Sequence, residues 1–322
     1  MLSSYSPRQP GIGIIYGKKG TGKSTLVMML VLACVKGSAG SIEEAPFNRA
    51  VVITDSPEAW KGRGLFKKER GTGPVNIWKS PEGTTPAEWA RTLCSYLAAL
   101  YGLDRKETSC LQEAAVSAPA PLTFASLQER LQALMERRAG DGDYRKSAMS
   151  ALAVVRGLRE AAARTQLFAE VDGEGIQEAF SRSGTYIIGR EAEGKEGDFL
   201  YGALLYCCLC HPLRPAPVIC AADGRCRDMF PDGCAVTDRV CSGRDPSRAL
   251  LLSDEKLAFS RKMVRSSIVT MCSGGSEGSY VIGSVGSYEG GAPVVSRGKQ
   301  AIRNMAVQFA KSRKAAIEGR LS

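Results

Sequence analysis

Residues 17–24 constrain the fold more than any other part of the chain, because their glycines and lysine follow a pattern that few folds accommodate. The segment reads Gly-Lys-Lys-Gly-Thr-Gly-Lys-Ser and matches G-x-x-x-x-G-K-[ST] at every fixed position. The apolar run at residues 12–16 predicts a buried strand before it, and residues 23–35 predict an apolar helix after it. A glycine-rich turn between a strand and a helix predicts a loop that surrounds phosphate groups.

Each residue type in this segment has a chemical role. Glycines let backbone N–H groups turn toward phosphates, Lys23 would reach the β- and γ-phosphates, and the Ser24 hydroxyl would coordinate Mg²⁺. We therefore predict binding of a nucleoside triphosphate, with ATP and Mg²⁺ as the expected ligands. The predicted nucleotide-binding residues are Gly17, Lys18, Lys19, Gly20, Thr21, Gly22, Lys23, Ser24 and Thr25.

Two aspartates are candidates for a second magnesium-side carboxylate, because each follows an apolar run that predicts a strand. Asp55 follows residues 50–54, and Asp223 follows residues 217–222. Aspartate also caps turns at strand ends, which is the alternative interpretation for either residue.

Hydrolysis is a separate prediction from binding. ATPases that use an in-line water usually carry a glutamate directly after this aspartate, but here Gly224 follows Asp223. Either another acid orients the water, or the protein hydrolyses ATP slowly or not at all. The candidate acids are Asp55, Glu58 and Asp228, and the candidate arginine fingers are Arg244, Arg248, Arg261 and Arg265.

The remaining pattern predicts an α/β fold with a mostly parallel sheet and a helical insertion. Residues 1–85 and 166–300 are the two parts of the predicted α/β domain, 86–165 the insertion, and 301–322 a basic C-terminal helix. Apolar stripes predict three helices in the insertion, with a linker at 114–121; a separate small bundle is the alternative. The further predicted strands are residues 75–78, 184–189, 217–223, 249–252, 267–271, 280–282 and 293–296, with a helix at 199–210.

The stripes of the predicted insertion supply its candidate core. They are Trp89, Leu93, Leu97 and Leu100; Leu127, Leu131, Leu134 and Met135; and Met149, Leu152, Val155 and Leu158. Thr123 or Ser126 is the expected N-cap of the second helix.

The net charge indicates the kind of partner, and the cysteine content indicates the cellular compartment. The formal net charge of +10 indicates attraction to polyanions, with basic residues concentrated at 61–70 and 303–320. No apolar segment reaches the roughly 18 residues that a membrane helix needs, and the N-terminus does not match a secretory signal. We therefore expect a soluble cytoplasmic protein whose eleven cysteines are reduced. Most lie at 207–272, where buried free thiols are favoured over a zinc site.

With these features in order, the chain resembles the FtsK/HerA superfamily of DNA-pumping ATPases. RAVVITDSPEAW at 49–60 is similar to that superfamily's second strand, with Asp55, Glu58 and Trp60 at the matching positions. LTFASLQERLQAL at 122–134 and GTYIIG at 184–189 resemble a helix of the insertion and the strand after it. PVICAADGRCRDMFP at 217–231 resembles the Walker B strand and its exit, which favours Asp223 over Asp55 as the metal-side aspartate.

The chain also departs from that superfamily. Gly224 replaces the usual glutamate, and ALLLSDEK at 249–256 offers only Ser253 and Asp254 where relatives carry a polar sensor. YEGGAPVVSRG at 288–298 resembles their late glycine-containing turn and final strand. The resemblance implies a RecA-like P-loop NTPase fold, a hexameric ring, and translocation, transfer or packaging of double-stranded DNA. A viral member would act in the host-cell cytoplasm.

Three other functional classes stay open at the level of sequence. Lys18 stands where ParA/MinD-type ATPases carry a signature lysine, which would make the protein a dimeric nucleotide switch. A small-molecule kinase would also carry a phosphate loop. Gly224 is compatible with a non-hydrolysing ATP-binding subunit of a larger complex.

Overall fold

A mostly parallel sheet with helices packed against it forms the mixed α/β fold. A computed structural model describes residues 12–16, 49–60, 69–70, 72–118, 121–169, 172–182, 184–210, 218–221, 229–241, 248–253, 268–274, 279–284 and 294–297. The strands in these ranges are β1 (Ile12–Tyr16), β2 (Arg49–Thr54), β3 (Glu69–Arg70), β4 (Gly184–Gly189), β5 (Val218–Ala221), β6 (Arg248–Ser253), β7 (Ile268–Gly274), β8 (Ser279–Ser284) and β9 (Val294–Arg297).

The strand order is β3-β4-β2-β5-β6-β1-β7-β8-β9. Pairing is parallel from β3 to β7 and antiparallel from β7 to β9. All six residues of β2 are buried, as expected for a strand covered on both faces of a parallel sheet. β1 has a parallel neighbour on each side, so the predicted phosphate loop begins directly after an interior strand.

Helices account for most of the chain between β3 and β4. The described helices are α1 (Pro57–Trp60), α2 (Pro86–Tyr101), α3 (Arg105–Ser117), α4 (Phe124–Arg137), α5 (Gly142–Ala163), α6 (Ile176–Ala179), α7 (Gly194–Cys210) and α8 (Ala235–Cys241). Side-chain caps fix where several of them begin. Thr85 and Glu88 form a capping box at α2, Asp104 and Glu107 form one at α3, and the Thr123 hydroxyl caps α4.

The strand predicted at residues 75–78 is wrong. Val75 makes only isolated parallel bridges, to Phe168 and Glu174. The Asn76 side-chain oxygen then accepts a hydrogen bond from the Trp78 N–H at 3.0 Å, which turns the chain. The segment looked like a strand because Val75 and Trp78 are both buried.

The predicted insertion has four helices among its described residues, where the apolar stripes predicted three. Residues 114–117, assigned to a linker, form the last turn of α3. α3 escaped the prediction because it is polar and buries only Cys110, Leu111, Ala114 and Ala115. The prediction that Met149 belongs to the core is also wrong, because this residue is 55% exposed. Leu152, Val155 and Leu158 of the same predicted stripe are buried.

Most of α7 is buried, and this helix joins the helical layer to the sheet. Its residues from Phe199 to Cys208 that carry hydrophobic side chains are all buried, and the helix contacts α2, α5, α6, α8 and β5. The Tyr206 ring stacks on Trp89 with ring centroids 5.6 Å apart, and Phe199 stacks on Tyr96 at 5.5 Å. Val51 of β2 belongs to the same hydrophobic cluster as the buried residues of α2, α4 and α5, so these helices share one core with the sheet.

The closest packing between α2 and α7 occurs at Gly202. A Cβ atom at this position would lie 1.8 Å from the Tyr96 hydroxyl oxygen and 3.0 Å from Cζ of the same ring. The Tyr96 hydroxyl donates a hydrogen bond to the Met229 carbonyl oxygen and lies 3.2 Å from the Asp198 carbonyl oxygen. Only glycine at 202 therefore leaves room for this tyrosine.

We expect Gly202→Ala to destabilise the fold by about 3 kcal/mol, because the added methyl group overlaps the Tyr96 hydroxyl. In the Tyr96→Phe background, Gly202→Ala should destabilise the fold by at least about 1 kcal/mol less, because the overlapping hydroxyl oxygen is absent. Chemical denaturation of the four proteins of this double-mutant cycle measures the difference. Gly142→Ala is the control, since nothing lies within 4 Å of a Cβ there. Equal costs of Gly202→Ala in both backgrounds would contradict the close contact.

Candidate functional site at the carboxyl edge of the sheet

The predicted phosphate loop follows directly on a described strand. β1 ends at Tyr16, and Gly17 is the next residue in the chain. The loop residues themselves lie outside the described residues, as do Asp223, Gly224 and Asp254. The described part of the site is the carboxyl edge of the parallel strands.

One row of residues crosses this sheet in register. Ile14 of β1 pairs with Leu251 of β6, Leu251 with Ala221 of β5, Ala221 with Ile53 of β2, and Ile53 with Ile188 of β4. Parallel strands run in one direction, so the same number of residues beyond this row leads to the same edge on every strand.

Two positions beyond this row, the chain carries both candidate aspartates and several other polar residues. These positions are Tyr16 on β1, Ser253 on β6, Asp223 after β5, Asp55 after β2 and Arg190 after β4. Neighbouring strands lie about 4.8 Å apart, so strands β2 and β5, each followed by an aspartate, are about 5 Å apart and β5 is about 10 Å from β1. The register therefore brings the ends of β1, β5 and β2 to the same edge of the sheet, where Asp55 also lies.

The strand order also creates two points at this edge where the chain departs in opposite directions. From β1 the chain proceeds to β2, while from the neighbouring β6 it proceeds to β7 on the other side. From β2 it proceeds toward β3 and β4, while from the neighbouring β5 it proceeds to β6. Ligands of open α/β sheets bind outside the carboxyl ends of strands at such switch points.

An ionic cluster of described side chains lies at the ends of β2 and β4. The side chain of Arg190 is only 4% exposed, and its Nη2 donates a hydrogen bond to Asp198 Oδ1 at 3.1 Å. Its Nε lies 3.7 Å from Oδ1 of Asp55, whose side chain is 48% exposed. The Arg190 guanidinium also lies 5.5 Å from the centre of the Tyr201 ring. Nη1 of Arg190 is buried without a hydrogen-bond partner among the described residues.

Backbone and tyrosine hydrogen bonds fix the position of Arg190. Its N–H donates to the Thr54 carbonyl oxygen at 2.9 Å, which extends the pairing of β2 and β4. The Tyr201 hydroxyl donates to the Gly189 carbonyl oxygen at 2.9 Å and accepts from the Glu191 N–H at 2.8 Å. Burial raises the pKa of Tyr201, so the hydroxyl keeps its proton and can donate.

Close backbone approaches bring α7 and α1 to the same edge. A Cβ at Gly197 would lie 2.2 Å from the Ala192 carbonyl oxygen, so the first turn of α7 packs directly on the segment that follows β4. A Cβ at Gly189 would lie 3.2 Å from Pro57 Cγ at the start of α1. Glu58, the other candidate acid on this side, lies exposed on α1.

The candidate arginine finger Arg248 lies at the opposite edge of the sheet from the predicted loop. It is the first residue of β6, five positions before Ser253, which corresponds to about 16 Å along a strand. Arg248 therefore lies at the amino end of β6, away from the carboxyl ends of the strands. Arg244, Arg261, Arg265 and Asp228 lie outside the described residues.

The described cysteines are free thiols. Cys94, Cys110, Cys207, Cys208 and Cys234 are all buried. Burial raises the pKa of Cys208 to about 12 and also raises the pKa values of Cys94, Cys110 and Cys234. In the part of the chain that the structure describes, no three His, Cys, Asp or Glu side chains are grouped so that they could hold a metal ion. The other cysteines of the 207–272 segment have no described side chains.

Sequence reasoning missed Arg190 and Asp198. Arg190 directly follows a correctly predicted strand, so the signal that identified Asp55, a polar residue after an apolar run, was also present here. Asp198 gave no such signal because α7 was predicted to begin at residue 199, whereas it begins at Gly194.

No protein-family model matches the chain, and comparison with curated proteins finds no similar sequence. None of the helices in the described ranges is long and apolar enough to cross a bilayer.

We expect the two partners of Arg190 to differ in their effect on stability. Asp198→Asn should lower the free energy of unfolding by about 2–3 kcal/mol, because it removes the hydrogen-bonded countercharge of a buried guanidinium. Asp55→Asn makes the same charge change at a half-exposed ion pair and should cost less than about 1 kcal/mol. Urea unfolding of both variants measures the difference. Equal shifts of the urea midpoint in the two variants would contradict this difference and show that Asp55 and Asp198 stabilise Arg190 equally.

Proposed function

We propose that the chain is a magnesium-dependent ATPase of FtsK/HerA type, with a P-loop NTPase fold, that moves double-stranded DNA. The observation that supports this most is the shared register of β1, β6, β5 and β2. It brings the end of the strand that precedes the phosphate-loop motif to the same edge as the strand that precedes Asp223. A switch point lies at this edge, where α/β sheets bind their ligands.

The residues that would surround the nucleotide match its chemistry. Backbone N–H groups of residues 17–25 and the Lys23 ammonium neutralise the phosphate charge. The Ser24 hydroxyl and the Asp223 carboxylate are oxygen donors, the ligand type that Mg²⁺ prefers. Mg²⁺ supplies charge neutralisation at the β- and γ-phosphates when it is bound. The role of Lys23 and Asp223 is thus catalytic as well as ligand-binding.

The DNA part of the proposal is supported by charge. The net charge of +10 includes clusters at residues 61–70 and 303–320, which would contact the backbone phosphates of a duplex. Most of these residues lie outside the described part of the chain, so no DNA-binding surface is defined. We propose that copies of the chain form a hexameric ring around the duplex in the cytoplasm, with ATP bound between neighbouring copies.

Lys23→Ala should abolish ATP turnover and weaken ATP binding by at least about 100-fold, because the variant loses the cation that contacts the transferred phosphate. Lys19→Ala is the matched control, since it removes a lysine from a variable position of the same motif. Isothermal titration with ATP and Mg²⁺ and a phosphate-release assay measure the two effects. Wild-type turnover by Lys23→Ala would exclude the phosphate loop from the reaction.

Binding to linear duplex DNA should weaken by at least about ten-fold between 50 and 200 mM salt, because phosphate contacts release condensed counterions. Fluorescence anisotropy with a labelled duplex measures the affinity, and the same duplex should raise ATP turnover. Salt-insensitive binding or no binding would remove DNA as the substrate of the motor. An ATP-dependent dimer seen by light scattering, without stimulation by DNA, would instead favour the ParA/MinD-type switch.

A further inference from the structure

Hydrolysis of ATP needs a carboxylate that orients the attacking water, and the usual position is occupied by Gly224. We infer that Asp55 supplies this carboxylate and that Arg190 is the residue that positions it. The inference rests on the proposed ATPase function and adds the water-activating residue to it.

Register is the first support for Asp55. Ile53 pairs with Ala221, and the chain carries an aspartate two residues after each of them, Asp55 and Asp223. Asp55 therefore follows the strand next to the one that precedes the proposed magnesium-side aspartate. Adjacent parallel strands lie about 4.8 Å apart, so the two strands that these aspartates follow end side by side.

Position separates Asp55 from Glu58, the other candidate acid among the described residues. The Asp55 side chain is 48% exposed, so water can reach its carboxylate. The residue continues directly from β2, where the Ser56 N–H donates to the Thr54 hydroxyl at 3.1 Å and turns the chain. Glu58 comes a further three residues along, within the helix α1, and has no register relation to Ala221.

Arg190 is suited to position Asp55 because its guanidinium is held independently of it. Asp198 hydrogen-bonds Nη2 at 3.1 Å, the Tyr201 ring lies against the guanidinium, and the side chain is 96% removed from solvent. The distance of 3.7 Å between Nε and the Asp55 carboxylate is an ion-pair distance that exceeds a hydrogen bond. The buried positive charge of Arg190 therefore lies beside the Asp55 carboxylate and holds it at this edge.

The step can be written with its atoms balanced. The water oxygen forms a bond to the γ-phosphorus of ATP as one water proton passes to the Asp55 carboxylate. The bond between the γ-phosphorus and the β–γ bridging oxygen breaks, and its electron pair stays on that oxygen of ADP. The products are ADP and inorganic phosphate, and Asp55 then releases the proton to solvent.

Steady-state turnover and equilibrium binding of the fluorescent analogue mant-ATP, both on the full chain, test the inference. Asp55→Asn should lower kcat by about 100-fold or more and leave KM and the mant-ATP affinity within about two-fold of the wild-type values. Glu193→Gln makes the same charge change at an exposed residue outside the proposed site and should leave both quantities unchanged. Wild-type kcat in Asp55→Asn, or an equal loss of kcat and mant-ATP binding, would overturn the role of Asp55.

Arg190 needs a readout that a purely structural role would not change. Arg190→Lys keeps the charge but loses the planar guanidinium, whereas Arg190→Gln loses the charge. At unchanged mant-ATP affinity, kcat should fall about ten-fold in Arg190→Lys and further in Arg190→Gln. Parallel losses of mant-ATP binding and thermal stability, with kcat per bound nucleotide unchanged, would leave Arg190 a structural residue only.

The wild-type protein separates failure of this inference from failure of the proposed function. A wild-type chain that does not bind mant-ATP contradicts the proposed function itself. Binding that requires Lys23 but gives no turnover, with or without duplex DNA, overturns the Asp55 mechanism and leaves an ATP-binding subunit.

Discussion

The arrangement of the described residues depends on the packing of α7, because this helix contacts α2, α5, α6, α8 and the sheet at β5. A helix that is buried along most of its length cannot carry a long polar face. The hydrophobic residues of α7 from Phe199 to Cys208 are accordingly all buried. Its first turn carries Asp198, which holds Arg190 at the end of β4. The first turn of α7 therefore contributes to the ionic cluster at the sheet edge, and the rest of the same helix contributes to the hydrophobic core.

Glycines determine how closely this helix can approach its neighbours. Gly197 brings the start of α7 onto the Ala192 carbonyl oxygen, and Gly202 accepts the Tyr96 ring and hydroxyl from α2. The Tyr96 hydroxyl in turn bonds to the Met229 carbonyl oxygen, only six residues beyond Asp223 in the chain. The helical layer is thus connected to the segment that follows β5 through a buried hydrogen bond, whose loss would leave a carbonyl oxygen unsatisfied.

Local sequence signals identified most strands and fewer of the helices. β1, β2 and β4 were predictable because each is a short apolar run with polar or glycine residues at its ends. α3 was missed because a largely solvent-exposed helix has little hydrophobic periodicity, and its start at Asp104 depends on a reciprocal cap rather than on apolar residues. The turn at Asn76 was missed because buried Val75 and Trp78 give the same pattern in a strand and in a buried turn.

The site was predictable in its parts but not in its arrangement. A phosphate-loop motif and an aspartate after an apolar run are local patterns, so Lys23, Ser24, Asp55 and Asp223 could be selected from sequence. Strand order and register come from pairings between distant segments, and these decide that β6 lies between β1 and β5 and that β2 lies beside β5. The association of Arg190 with Asp55 follows from the same long-range pairing, and no local signal related the two residues.

The two edge strands of the sheet bear on how copies of the chain can associate. β3 consists of only Glu69 and Arg70, both charged, and β9 has four residues. Short or charged edges offer few free backbone groups for another strand to pair with, and proteins use them to prevent uncontrolled sheet extension. Within the described residues, these edges therefore favour association of copies through side-chain surfaces over a continuous intermolecular sheet.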